Sequence, residues 1–258
     1  MLILLPPSER KADVRAGRRL DLTRLSLPEL NPAREELLDA LVALATAPDA
    51  SAAPAVLPEP ARNARLRQAA TTAAAAVYTG VLYEALDLAT LPAPALRAAR
   101  RQVLVSSGLW GAVRLTDRIP PYRCPIGLTL PGPGALTAYW KRVLAPAMES
   151  AAGDGPVLDL RSAAYAAAWT PRGELAGRTV TVRVLHEREV DGVVTRSVVS
   201  HFNKATKGRL VRDLLTAGAR PRGVDELVTA LRDLKYTVLE EPVTPGRPRR
   251  VDVVVSQL

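Results

Sequence analysis

Residues 2–11 read LILLPPSERK, an apolar run stopped by two prolines and followed by a hydroxyl, a carboxylate and an amine. So short a run with so abrupt a stop reads as a buried strand, since proline cannot continue a ladder. Ser8, Glu9 and Lys11 then stand at its C-terminal end. The same arrangement returns at QVLVSS, 102–107, and at PVLDLRS, 156–162. Runs that end in small or polar residues are expected of central strands whose C-terminal edge carries a site.

Between these strands the sequence supplies helices. PAREELLDALVAL, 32–44, has proline near its start, acids in the first turn and apolar residues at helical spacing. Residues 62–89 read as helical with a break at Gly80, and ALTAYWKRVLAPAMES as a helix after a Gly/Pro turn. RTVTVRVLHEREVDGVVTRSVVSHF alternates around Asp191-Gly192, a strong hairpin signal. A basic helix in KATKGRLVRDLLTAG, another at VDELVTALRDLK, and a strand pair from YTVLEE and RRVDVVVSQL close the chain. The expected fold is mixed α/β (α+β): one compact domain over 1–258, a central sheet flanked by helices, and a flexible Pro/Ala connector at 45–61.

The chain has 258 residues, 48% of them hydrophobic, enough to bury a sizeable core. One phenylalanine, Phe202, leaves core volume to aliphatic packing. Net charge is +9, and arginine outnumbers lysine 30 to 5. That charge attracts polyanions with a steep salt dependence, so DNA is an expected partner. A single cysteine, Cys124, excludes an internal disulfide and a multi-cysteine metal cluster. His186 and His201, the only histidines, would need the fold to bring them together, and neither a metal nor a cofactor is expected. No run reaches the ~18 apolar residues of a membrane span, and MLILLPP is too short for a signal-peptide core. No membrane partner is expected, and the cytoplasm is the expected compartment.

The stretch SSGLWGAVRLTDRIPPYRC, 106–124, concentrates chemistry in a chain poor in aromatics. Ser106 and Ser107 after a strand can offer hydroxyls and amides to an anion. Pro120 and Pro121 stiffen the loop that carries Tyr122 and Arg123. LPGPGALTA, 130–138, has the Gly-x-Gly of a helix-hairpin-helix module without its first helix, so an ordinary turn is favoured. HFNKATKGRLVR brings Lys204, Lys207, Arg209 and Arg212 near one another if it turns helical after Gly208.

Taken in order, LLPPSERK, AVYTGVLYEAL, SSGLWGAVRLTDRIPPYRCPIG, LTAYWKRVL, VLDLRSAAYAAAW and HFNKATKGRLVR resemble the YaaA family of bacterial peroxide-stress proteins across nearly the whole chain. Its central signature stands here as Ser107, Gly108, Leu109, Trp110, Gly111, Arg114, Asp117, Pro121, Tyr122 and Arg123. The resemblance implies a cytoplasmic protein with a fold peculiar to its family, linked to limiting free iron under peroxide stress and to DNA. The family often has acids where Ala76, Ala163 and Ala164 stand, and this chain lacks those carboxylates.

Two functions follow as expectations. As a DNA-associated protein, the chain would hold phosphates with Arg114, Arg123, Lys204, Lys207, Arg209 and Arg212, and stack Tyr122 or Trp110 on an unpaired base. As an enzyme on a nucleobase, nucleoside or related small molecule, nucleobase-like or anionic, it would use Lys11 as nucleophile or base. Glu9, Ser8, Ser106, Ser107 and Tyr122 would line that pocket, Arg123 would orient the substrate, and Asp117 would hold Arg123 or Arg114. The enzyme reading requires Lys11, Tyr122, Arg123 and Lys204 to meet in one concavity. Oligomeric state is open, and direct iron sequestration has no supporting ligand spacing.

Overall fold

The computed structural model describes residues 1–48, 58–190 and 193–256. Its main sheet has eight strands: β1 (Leu2–Leu5), β2 (Val103–Ser107), β3 (Gly111–Arg114), β4 (Val157–Asp159), β5 (Thr179–Val190), β6 (Val193–Ser197), β7 (Thr237–Glu240) and β8 (Arg249–Val255). The order is β7-β8-β5-β4-β1-β2-β3, with β6 paired to β5. β1 runs parallel to both β2 and β4, β5 runs parallel to β4 and β8, and the remaining pairs are antiparallel. This is a mixed α/β fold with a central sheet flanked by helices, as the run-and-stop pattern predicts. β1 is buried along its whole length because it has a neighbour on each side and layers above and below.

The longer helices among the described residues are α1 (Asn31–Thr46), α2 (Val81–Leu86), α3 (Ala93–Gln102), α4 (Leu136–Ala152), α5 (Ser200–Thr216) and α6 (Val224–Asp233), and four pieces of four or five residues lie between them. Among the described residues no helix is long and apolar enough to cross a membrane. α1 continues to Thr46, two residues into the expected connector, most of which lies outside the described residues, as does the Asp191-Gly192 turn. The strands flanking that turn pair as expected.

Two expectations need correction. Residues 62–89 are helical only in pieces: a single turn at Ala74–Val77 precedes the expected break at Gly80, and most of 64–73 is not helical. Ala74 N donates to Asp117 O at 2.7 Å, Ala75 N to Leu115 O at 3.0 Å, and Ala12 N to Val77 O at 2.9 Å, so neighbouring loops claim this backbone. Thr72–Ala73 pairs with Arg118–Ile119, and α2 begins only after Gly80, whose φ is +94°. The alanines keep one helical turn, whose first two N–H groups are capped by these loop carbonyls, and the long-range hydrogen bonds stop it from extending. The second correction concerns α5, which starts at Ser200, takes in His201 and Phe202, and runs straight through Gly208. A Cβ at Gly208 would stand 2.2 Å from Leu82 O, so the glycine marks close approach of α5 to α2.

The chain leaves β1 toward β2 on one side, returns through α4 to β4 on the other, and then moves away to β5. Connections therefore diverge from the adjacent strands β1 and β4. A crevice at their C-terminal ends is the geometric result.

Candidate functional site

That crevice is a cleft of about 930 Å³. One wall is the loop after β1, where Pro6 and Pro7 end the strand and the chain folds back on residues 77–79. Ser8 Oγ accepts from Thr79 N at 3.1 Å and donates to Arg10 O. Lys11 is thereby turned into the cleft. Its Nζ donates to Ser8 O at 3.0 Å and stands 4.4 Å from the centroid of the Tyr122 ring and 5.6 Å from that of Tyr78. Burial, followed by the neighbouring Arg123, lowers its pKa to about 8.

The facing wall comes from β4 and α5. Leu160 O, just past β4, accepts from Lys207 Nζ at 3.0 Å, and burial lowers the Lys207 pKa as well. Asn203, Lys204 and Lys207 share one helix face by their spacing, and all three line the cleft. Arg123 donates to Glu9 O at 2.6 Å and keeps only long ion pairs, 3.8 Å to Glu9 and 4.0 Å to Glu59. Glu9 is the one acid among the described lining residues. Of the basic ones, Arg161 is spent on Asp159 and Arg183 on Asp252 and Glu241. Arg10, Lys11, Arg123, Lys204 and Lys207 remain, which gives the cleft a positive field. Cys124 also lines it, but burial pushes its thiol up to about 12, so it stays protonated at neutral pH and is a poor target for oxidation.

The residues expected together therefore divide. Ser8, Glu9, Lys11, Tyr122, Arg123, Lys204 and Lys207 meet in the cleft. Ser106 and Ser107 do not; they face a separate void of about 10 Å³ lined also by Trp140 and Met148. Ser107 Oγ accepts from Leu109 N at 3.2 Å and Trp110 N at 2.8 Å, which leaves its proton for Tyr122 OH at 2.7 Å. Tyr122 OH in turn meets Tyr78 OH at 2.9 Å. Burial raises both phenols well above their ordinary range, so neither is an acid near neutrality.

Asp117 holds neither Arg123 nor the Arg114 side chain. Its carboxylate accepts from Ser26 N at 2.9 Å, Ser26 Oγ at 2.8 Å and Arg114 N at 2.8 Å, which makes it a buried turn lock. The Arg114 guanidinium donates instead to Arg101 O. Trp110 is 0% exposed and cannot stack on a base without unfolding the core, whereas the Tyr122 ring, 2% exposed, lines the cleft with Lys11 Nζ over its face. Arg212 closes the end of α2, donating to Leu86 O at 3.0 Å, Asp87 O at 2.7 Å and Thr90 Oγ1 at 2.8 Å. Arg209 is exposed outside the cleft lining.

Two arginines escaped the sequence reading. Arg34 is fully buried and donates to Trp110 O, Ala112 O, Leu27 O and Asn31 Oδ1, pinning the β2–β3 hairpin. The signal was present, since Arg34 begins the 34, 37, 38, 41 stripe of the buried helix face. Arg161 forks onto Asp159 at 2.9 and 2.6 Å and donates to Trp169 O, fixing the turn after β4. Its place two residues after the carboxylate that ends a buried strand was the clue.

The family model described as peroxide stress protein YaaA matches residues 1–241. A UPF0246 protein of Streptomyces coelicolor is 55% identical over 265 residues, covering 100% of both chains. One from Corynebacterium efficiens is 39% identical over 99% of this chain and 100% of its own length. A more distant UPF0246 protein of Ruegeria is 32% identical over 68% of this chain and 69% of its own.

Proposed function

From membership of the family of peroxide stress protein YaaA, to which this chain belongs, we propose that it acts through the cleft, binding a small molecule, either nucleobase-like or anionic, on which Lys11 works as nucleophile or base. The supporting observation is the meeting of Lys11, Arg123, Lys204 and Lys207 at the divergence of β1 and β4, with Glu9 the one acid among the described residues that line the same space. With a pKa of about 8, roughly a tenth of Lys11 is the free amine at pH 7, where an ordinary lysine offers less than about a thousandth. Arg123 and Lys204 hold the anion and Tyr122 presents a flat face beside the amine. Limiting of free iron would follow from what becomes of the ligand, since among the described residues no group of three or more His, Cys, Asp or Glu gathers to hold a metal.

Titration calorimetry with nucleotides, nucleosides and phosphorylated or carboxylated metabolites tests this reading. Binding that weakens at least tenfold in Arg123→Ala supports it, and failure of every anion to bind at low salt removes it.

DNA association is the second reading, favoured by the +9 charge and by Lys204 and Arg209 exposed on α5. A backbone laid across the mouth would meet Arg10, Arg123 and Lys204. Duplex, single-stranded and junction DNA titrated at two salt concentrations give the test, with a steep loss of affinity at the higher one expected.

A further inference from the structure

We propose that Lys11 condenses with the carbonyl carbon of an anionic aldehyde or 2-oxo acid held in the cleft, forming an imine. The inference rests on the cleft-binding reading and names its substrate class. Of the five lysines, Lys141, Lys204 and Lys235 are exposed and only Lys11 and Lys207 are withdrawn from water. Each of these two donates to a backbone carbonyl at the end of one of the two divergent strands, Ser8 O and Leu160 O. Among the described residues neither has a carboxylate within ion-pair distance.

Their surroundings then separate them. Asp159 favours the ammonium form of Lys207, whereas Lys11 has the guanidinium of Arg123 as its main charged neighbour, which favours the free amine. Lys207, Lys204 and Arg123 supply the anion site, and the faces of Tyr122 and Tyr78 flank Nζ where a planar C=N bond would lie. The step balances without a redox partner. The Nζ lone pair attacks the carbonyl carbon, and the two amine protons leave with the carbonyl oxygen as one water while the C=N bond forms. Neutral carbonyl compounds would react less well, because the cations of the cleft concentrate anions and give no such hold on an uncharged molecule.

The full chain would be incubated at pH 7 with glyoxylate, pyruvate or pyridoxal 5′-phosphate and cyanoborohydride, and the reduced adducts mapped over all five lysines and the N-terminus. The expected result is an adduct at Lys11 forming at least tenfold faster than at Lys141 or Lys235. Lys11→Arg, which keeps the charge, should abolish it, and Arg123→Ala should slow it. Equal labelling of all lysines, or total labelling unchanged by Lys11→Arg, would overturn the inference. If the probes bind by calorimetry in an Arg123-dependent way and Lys11 is never trapped, the imine falls and the binding reading stands. If they neither bind nor label Lys11 selectively, both fall.

Discussion

The signature stretch 106–124 splits into two regions that look alike in sequence and differ in structure. In the β2–β3 hairpin and the turn that follows it, polar side chains have partners that use them up: Ser107 serves two amides and a phenol, and Asp117 serves three donors. In the cleft, two residues of the same stretch join Lys11 and Lys204: Tyr122, whose hydroxyl is likewise spent, gives its ring, while Arg123 and Lys11 each make one short side-chain hydrogen bond, to Glu9 O and Ser8 O, and keep donors to spare. Satisfied polar groups hold geometry, and unsatisfied ones await a ligand. The hairpin also builds the cleft, because Ser107 fixes the phenol whose ring flanks Lys11.

Substitutions can break this contrast, and the largest effect belongs in the hairpin. Asp117→Ala strands three donors below the surface and should cost roughly 3 kcal/mol or more by urea unfolding. Next, Gly208→Ala drives a methyl group into Leu82 O and should cost about 1–3 kcal/mol, visible as a lowered Tm. Ser107→Ala leaves the Leu109 and Trp110 amides without their acceptor, at roughly 1–2 kcal/mol, and should also weaken ligand binding by loosening Tyr122.

In the cleft the sign of the trade reverses. Lys204→Ala should change stability by less than about 0.5 kcal/mol while weakening anion binding severalfold by calorimetry. Lys11→Met should be at least as stable as the natural chain. The folded pKa of Lys11, about 8, lies below its ordinary 10.5, so between those values the unfolded chain binds more protons. Burying the ammonium therefore costs stability below pH 8, and that cost vanishes as pH rises toward 10.5. The Tm advantage of Lys11→Met should shrink over the same window.

The sequence made the sheet legible because short apolar runs with abrupt stops admit few other readings. β1, β2 and β4 appear where LILL, VLVSS and VLD predict them, and the polar ends of β1 and β4 do face one cleft. Residues 62–89 were legible only in part, at the turn Ala74–Val77 and after the break at Gly80, because nothing local reveals that Asp117 O and Leu115 O accept from Ala74 and Ala75. Asp117 and Arg212 misled for a related reason. Charge and position suggest availability, yet partners 91 and 125 residues away, Ser26 and Asp87, had already taken them. Periodicity reports which side of an element is buried, and it is silent on which distant backbone completes a hydrogen bond.

The contrast between an occupied hairpin and an open cleft is tested most directly by calorimetry on one pair of variants with whichever anion binds the natural chain best. Arg123→Ala with Lys204→Ala should lose at least tenfold in affinity with Tm nearly unchanged, while Arg209→Ala, outside the cleft lining, should lose less than about twofold. Equal losses in the two proteins, or none in either, would contradict that contrast.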